Sequence, residues 1–215
     1  MDYENKSDIY YNKIRQEMLK YMPEKPKRVM DVGCGRGTFA AVVKEKTNAE
    51  VWGLEFMEAE AKEAEKVIDK VFAGPCENNI DKLPDNYFDV VYFNDVLEHL
   101  TDPYWVVEKF KEKLAPNGIV ISSIPNLRYH NALWSLMFKK DFRYRRSGVM
   151  DHTHLRFFTK KSIRRMYEEK GYEIIVHEGI NRSKSLKPIL YNIPLLFMHT
   201  DIFYPQFATV AKVRK

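Results

Sequence analysis

Three glycines in five positions, Gly33, Gly35 and Gly37, follow an apolar run that ends in an acid, Asp31, within VMDVGCGRGTFA. Missing Cβ atoms let a tight turn aim its amides at a ligand and approach it closely. Cys34 lies inside that turn. Glu55 follows about twenty residues later, at the end of the next apolar run, where a carboxylate can accept hydrogen bonds from two ribose hydroxyls. These residues predict a site for an extended, ribose-containing ligand. A second set carries acid–base chemistry. LEHL supplies Glu98 and His99, and MDHTHLRFFT supplies Asp151, His152, His154 and Arg156 within six residues.

Alternating strands and helices must position these groups. RVMDV, EVWGLE, KVFAG, FDVVYFN, IVISSI, YEIIVHE and FATVAKV read as seven strands. Between them GTFAAVVKEK, EAEAKEAEKVI and TKKSIRRMYEEKG read as helices. In TDPYWVVEKFKEKLAPNG, Asp102 caps a helix that opens on Pro103 and is expected to end at Asn117-Gly118. IYYNKIRQEMLKYM is amphipathic at helical spacing, before Pro23 and Pro26. The rhythm predicts one α/β domain over 1–215. It is a Rossmann-like, seven-stranded, mainly parallel sheet with helices on both faces and insertions on the substrate side. The N-terminal helix occupies 1–26, a substrate insertion 125–158, and a lid or contact insertion 180–204. Ligands of such sheets bind beyond the carboxyl ends of the strands.

Composition agrees with one well-filled core: 45% of the 215 residues are hydrophobic. Two cysteines, Cys34 and Cys76, make no disulfide framework and no metal-ligand spacing, which points to a reducing compartment. No stretch has the apolar core of a signal peptide or the roughly 18 apolar residues of a membrane span, so the expected setting is the cytoplasm. Charge is uneven. Between Leu127 and Arg165 eleven Lys or Arg face two acids, in a chain whose net charge is only +5. With the aromatics of MFKKDFRYRRSG, that surplus suggests an anionic ligand or surface.

The glycine run leaves a choice between a dinucleotide and S-adenosyl-L-methionine. A dinucleotide fingerprint reads G-x-G-x-x-G. Here the run is D-x-G-x-G-x-G, with an acid in front that suits an ammonium better than a pyrophosphate. At this point the sequence resembles the class I S-adenosylmethionine-dependent methyltransferases, from about Arg28 to Ile124, through VMDVGCGRG, Glu55, FDVVYFNDVLEHLTDP and LAPNGIVISSIPN. The resemblance assigns Asp31, Gly33, Cys34, Gly35 and Gly37 to the methionine end of the cofactor and Glu55 to the ribose. It places Phe56 against the adenine and Asn94 with Asp95 beside the methionine moiety. Many relatives carry an aspartate after strand three where AGPCEN has Pro75, so Cys76 or Glu77 is expected to meet the adenine instead.

Methyl transfer to a hydroxyl needs alignment and a proton acceptor. His154 is the first candidate base, with Asp151 or Glu98 orienting its ring, and His99 the second. Glu98, Asn126, Arg143, His152 and Arg156 are candidate acceptor contacts, the arginines for an anionic group on the acceptor. No metal is expected from the spacing, although Glu98 with His99 resembles a pair used for divalent metal in some quinone O-methyltransferases. The stretch after strand four reads N-D-V-L, without the N-P-P-Y or D-P-P-Y of many amino-methyltransferases. LEHLTDP, IPNLRYHNALWSLM and DHTHLRFFT look like bacterial methyltransferases of surface-polysaccharide and secondary-metabolite pathways. The reading is therefore O-methylation of a small-molecule or sugar-linked acceptor. An RNA or tRNA methyltransferase and a noncatalytic cofactor-binding partner subunit are the alternatives. The 180–204 insertion is expected first as a cleft cover, then as a homodimer or membrane-surface contact.

Overall fold

The computed structural model describes residues 14–193 and 196–214. Seven strands form one sheet: β1 (Arg28–Val32), β2 (Glu50–Glu55), β3 (Lys70–Ala73), β4 (Phe88–Asn94), β5 (Leu114–Pro125), β6 (Tyr172–Ile180) and β7 (Gln206–Val213). Their order across the sheet is β3-β2-β1-β4-β5-β7-β6, and β7 runs antiparallel to both its neighbours. The seven segments read as strands from sequence are these seven. β1 pairs with β2 on one side and β4 on the other, so strand order reverses between β1 and β4. That reversal opens a crevice beyond their carboxyl ends.

The sheet is filled on both faces because successive side chains of a strand point to opposite sides. Met30 and Val32 of β1 join Phe93, Leu97 and Phe110 on one face, while Val29 joins Val43, Val51 and Tyr92 on the other. Both clusters are buried, which explains why β1 and β4 read as largely apolar.

Local signals fix the helices that brace the crevice. Asp102 accepts a hydrogen bond from the Trp105 amide at 3.0 Å, and Pro103 opens the Pro103–Lys113 helix. This helix stops at Lys113 rather than at Asn117-Gly118. Leu114 already pairs with Phe88 of β4, so burial of an extended segment wins over helix continuation, and the turn at Asn117 (φ 67°) interrupts the strand. Thr159 and Ser162 form a reciprocal cap that starts the Lys160–Glu169 helix. Its Tyr167 donates to the Ser122 hydroxyl of β5 at 2.8 Å, tying the helix to the sheet.

Of the expected N-terminal helix, residues 1–13 lie outside the described residues, and Gln16–Leu19 is helical. Three further helices are Cys76–Asn79, His130–Phe138 and Lys187–Asn192. The two longer ones belong to the insertions after β5 and β6.

Candidate active site

A cavity of about 930 Å³ lies beyond the carboxyl ends of β1, β2 and β4. Its floor is the glycine turn. Gly33, Gly35 and Gly37 all adopt left-handed conformations, with φ of 73°, 55° and 77°. The Gly33 and Cys34 amides donate to the Leu54 carbonyl of β2 at 2.7 and 3.1 Å, which pulls the turn against that strand. A Cβ on Gly33 would stand 2.5 Å from Cγ2 of Val96, so the turn and the segment after β4 meet without room for a side chain. Gly37 does not line the cavity. It closes the turn at the start of the Thr38–Thr47 helix, where a Cβ would press on Val67 and Ala64.

Glu55 is 7% exposed and locks the same turn: its carboxylate accepts from the Gly35 amide at 2.8 Å and from the Met57 amide at 2.9 Å. The Phe56 amide bonds the same carboxylate, so of about four lone-pair sites about one remains for a ligand hydroxyl. Asp31, 3% exposed, faces the same space. Burial, and then the nearby Glu55 charge, push the Asp31 carboxyl up to about 8. Burial also raises Glu55, against the lowering effect of the amides it accepts from. Two desolvated acids at a cavity wall make a site that a cation would relieve.

Asn94 and Asp95 border the cavity at the end of β4. Both polar atoms of the Asn94 amide are buried with no protein partner, a costly state that a bound ligand would remedy. Asp95, at φ 57°, is held from three sides by Arg15, by Ser123 Oγ at 3.0 Å and by Gln206 Nε2 at 2.7 Å. Arg15 also bonds Ser123 and Glu17 and is 5% exposed. It is the one Lys or Arg among the described residues that line the cavity. Sequence reading missed it, because a single arginine ahead of the first strand carries no motif. Phe56, Cys76 and Glu77 line the opposite end; Phe56 is 51% exposed and Cys76 is buried.

Glu98, His99 and His154 meet at the third wall. The fold joins them by backbone: the amides of Leu155 and Arg156 both donate to the Glu98 carbonyl, at 2.9 and 3.0 Å. The imidazoles of His99 and His154 cross edge to face, with centroids 4.8 Å apart. Nδ1 of His154 lies 3.1 Å from the Val149 carbonyl and Nδ1 of His99 lies 3.1 Å from the Thr153 carbonyl. A carbonyl only accepts, so each Nδ1 is the donor and each neutral ring keeps its lone pair on Nε2. Both Nε2 atoms face Oε1 of Glu98, at 3.9 Å from His154 and 4.0 Å from His99. Ligand atoms of the three residues all lie within 4.8 Å of one another, an arrangement that also suits a divalent cation. Spacing along the chain hid this grouping.

The remaining predicted residues are placed differently. Asp151 lines the cavity, but its carboxylate accepts from the Thr153 amide at 2.9 Å and hydroxyl at 2.7 Å, so it shapes the turn that carries His154. Orientation of the His154 ring comes from Val149 and Glu98. Asn126 is buried outside the cavity, and its amide donates to the carbonyls of Asp201 and Tyr204, both at 2.9 Å. His152 is exposed, with Nδ1 3.2 Å from the Arg145 carbonyl. Arg156 donates to the Thr101 carbonyl at 2.6 Å and is also outside the wall. Arg143 lines a smaller cavity of about 200 Å³, which shares Ser147, Gly148, Val149 and Pro205 with the large one. From the 180–204 insertion the large cavity takes Asn181 alone among the described residues.

Comparison with known proteins agrees with this geometry. The family described as a methyltransferase domain matches residues 4–177. The chain is 36% identical over 115 residues to an uncharacterised methyltransferase of Schizosaccharomyces pombe, a match covering 48% of this chain and 41% of that protein. It is 28% identical over 162 residues to a ubiquinone biosynthesis O-methyltransferase of Idiomarina loihiensis, covering 72% of this chain and 65% of the relative. The chain thus spans less than two thirds of these curated relatives. In fold it is similar to a S-adenosylmethionine-dependent methyltransferase from Archaeoglobus fulgidus, with a TM-score of 0.71, 21% identity, and coverage of 98% of this chain and 100% of that one. With a family match over most of its length, a seven-stranded sheet of the same kind and an acid-flanked glycine turn, the chain belongs to the class I S-adenosylmethionine-dependent methyltransferases.

Proposed function

We propose that this chain methylates a hydroxyl of a small-molecule or glycan-pathway acceptor, with S-adenosyl-L-methionine as donor and His154 as base. The observation that supports this reading is the His154 ring in the cavity wall, with Nδ1 committed to Val149 and Nε2 facing Glu98. The residues present fit the donor. Glu55 would hold its ribose, Asp31 its ammonium end and Asn94 its methionine moiety, while Phe56 lies along the expected adenine end. Bound there, the donor supplies an electrophilic methyl group on a sulfonium. His154 takes the acceptor's proton at Nε2, and the Glu98 carboxylate stabilises the resulting imidazolium. His99 crosses the same ring and limits its rotation. Arg143 and Arg145 line the adjoining small cavity, which suits a phosphate or carboxylate on the acceptor.

Transfer of an isotope-labelled methyl group to a panel of hydroxyl acceptors, with and without a phosphate, tests the reading. Labelled ether products are expected, and turnover should survive chelation. The Glu98, His99 and His154 grouping supports a second reading, in which a divalent cation binds the acceptor oxygen. Loss of turnover on chelation, restored by added metal, would favour that reading over the base.

The buried acids predict a pH dependence. Asp31 moves from an ordinary 3.8 up to about 8 in the folded protein, so between those values the folded chain binds more protons than the unfolded one. Stability without ligand should therefore fall as pH rises from about 4 to about 8 and then level off. A cationic ligand favours the ionised acid, so binding S-adenosylmethionine near neutrality should release a proton. Calorimetry in buffers of different ionisation enthalpy reads that release. Heats independent of buffer would separate Asp31 from the ligand's charge.

A further inference from the structure

We propose that the face built from the His130–Phe138 helix and residues 186–193 and 196–198 docks on an anionic lipid surface. Apolar side chains stand unusually far into solvent here: Met137 and Phe138 are each 62% exposed, Leu190 61%, Met198 79% and Leu196 82%. The two segments form one surface, because Trp134 stacks on Tyr191 with centroids 4.9 Å apart and planes 10° apart, and on Phe138 at 4.1 Å. Polar contacts join the same two insertions: Arg128 pairs with Asp201 at 2.6 Å, and Nε2 of His130 lies 3.2 Å from Ser183 Oγ.

Charge selects the occupant. Residues 188–199 contain no Lys, Arg, Asp or Glu, whereas 139–146 carry five Lys or Arg against one Asp and 182–187 carry three with no acid. An uncharged apolar stretch flanked in sequence by bases, with Trp134 and Tyr191 stacked at its seam, matches the layering of headgroups and acyl chains at an anionic bilayer surface. Each base near such a surface adds attraction that salt screens. No helix among the described residues is long and apolar enough to cross a membrane, so the contact is interfacial. The same insertion carries Ser147, Gly148 and Val149 to the cavity rim, which places docking beside the acceptor entrance.

Co-sedimentation of the full chain with phosphatidylcholine vesicles, with and without phosphatidylglycerol, tests this. Binding to the anionic vesicles is expected at low salt, with loss at high salt and little binding to neutral ones. Leu196→Ser with Met198→Ser should lower partitioning about tenfold or more. Lys139→Glu with Lys140→Glu should lower it about 30-fold or more. Circular dichroism should show both variants folded, since all four positions are exposed. Equal recovery with neutral and anionic vesicles would overturn the proposal. So would a dimer in light scattering that the Leu196 and Met198 variant dissolves while vesicles recover no wild-type protein. Salt-sensitive retention on RNA without any vesicle binding would overturn it as well and assign the bases to nucleic acid.

Discussion

Replacing His154 with alanine is expected to lower turnover about 10²- to 10⁴-fold at saturating cofactor, the usual share of a general base. Cofactor affinity should hardly change, because the ring stands on the Glu98 wall and not on the glycine turn. A ring that only packs against His99 would not respond to added imidazole, so partial rescue of His154→Ala by imidazole distinguishes proton transfer from support. Steady-state kinetics with the true acceptor provides both readouts. Wild-type turnover in His154→Ala would remove the residue from the mechanism and leave His99 or alignment alone.

Glu55→Ala should weaken S-adenosylmethionine binding by about 1.5–3 kcal/mol, the range for hydrogen bonds to a charged group, or roughly 10- to 150-fold. The structure adds a reason beyond the ribose. Glu55 also holds the Gly35 amide, so its loss releases the turn that forms the cavity floor. Glu55→Gln should recover part of the affinity, since the amide oxygen can still accept from Gly35. Titration calorimetry gives the ranking, and equal affinity in all three proteins would detach Glu55 from the donor.

The sheet was legible because its strands are short, apolar and punctuated by glycine, proline and caps. VMDV and FDVVYFN are sealed on both faces, and their composition says so. The glycine turn was equally legible, since left-handed backbone at Gly33, Gly35 and Gly37 leaves few alternative residues. The wall of Glu98, His99 and His154 was only half legible. Glu98 and His99 are adjacent, but His154 reaches them through two amides bonded to the Glu98 carbonyl, a long-range contact with no local pattern. Arg15 was invisible for the same reason, as its partners Asp95, Ser123 and Gln206 come from three distant segments. The Lys187–Asn192 helix escaped because KPILYN shows no polar face at helical spacing. Asn126 looked like an acceptor contact from its place after β5, yet it anchors the Asp201–Tyr204 backbone.

The central claim is that the acid-flanked glycine turn forms a S-adenosylmethionine site, and direct titration of the purified chain tests it. One molecule of S-adenosylmethionine, or of its demethylated product, should bind per chain. Gly33→Val should abolish binding, because its side chain would fall on Val96 at the meeting of the turn and the segment after β4. No heat with either sulfur ligand, or clear preference for a nicotinamide dinucleotide, would contradict the account.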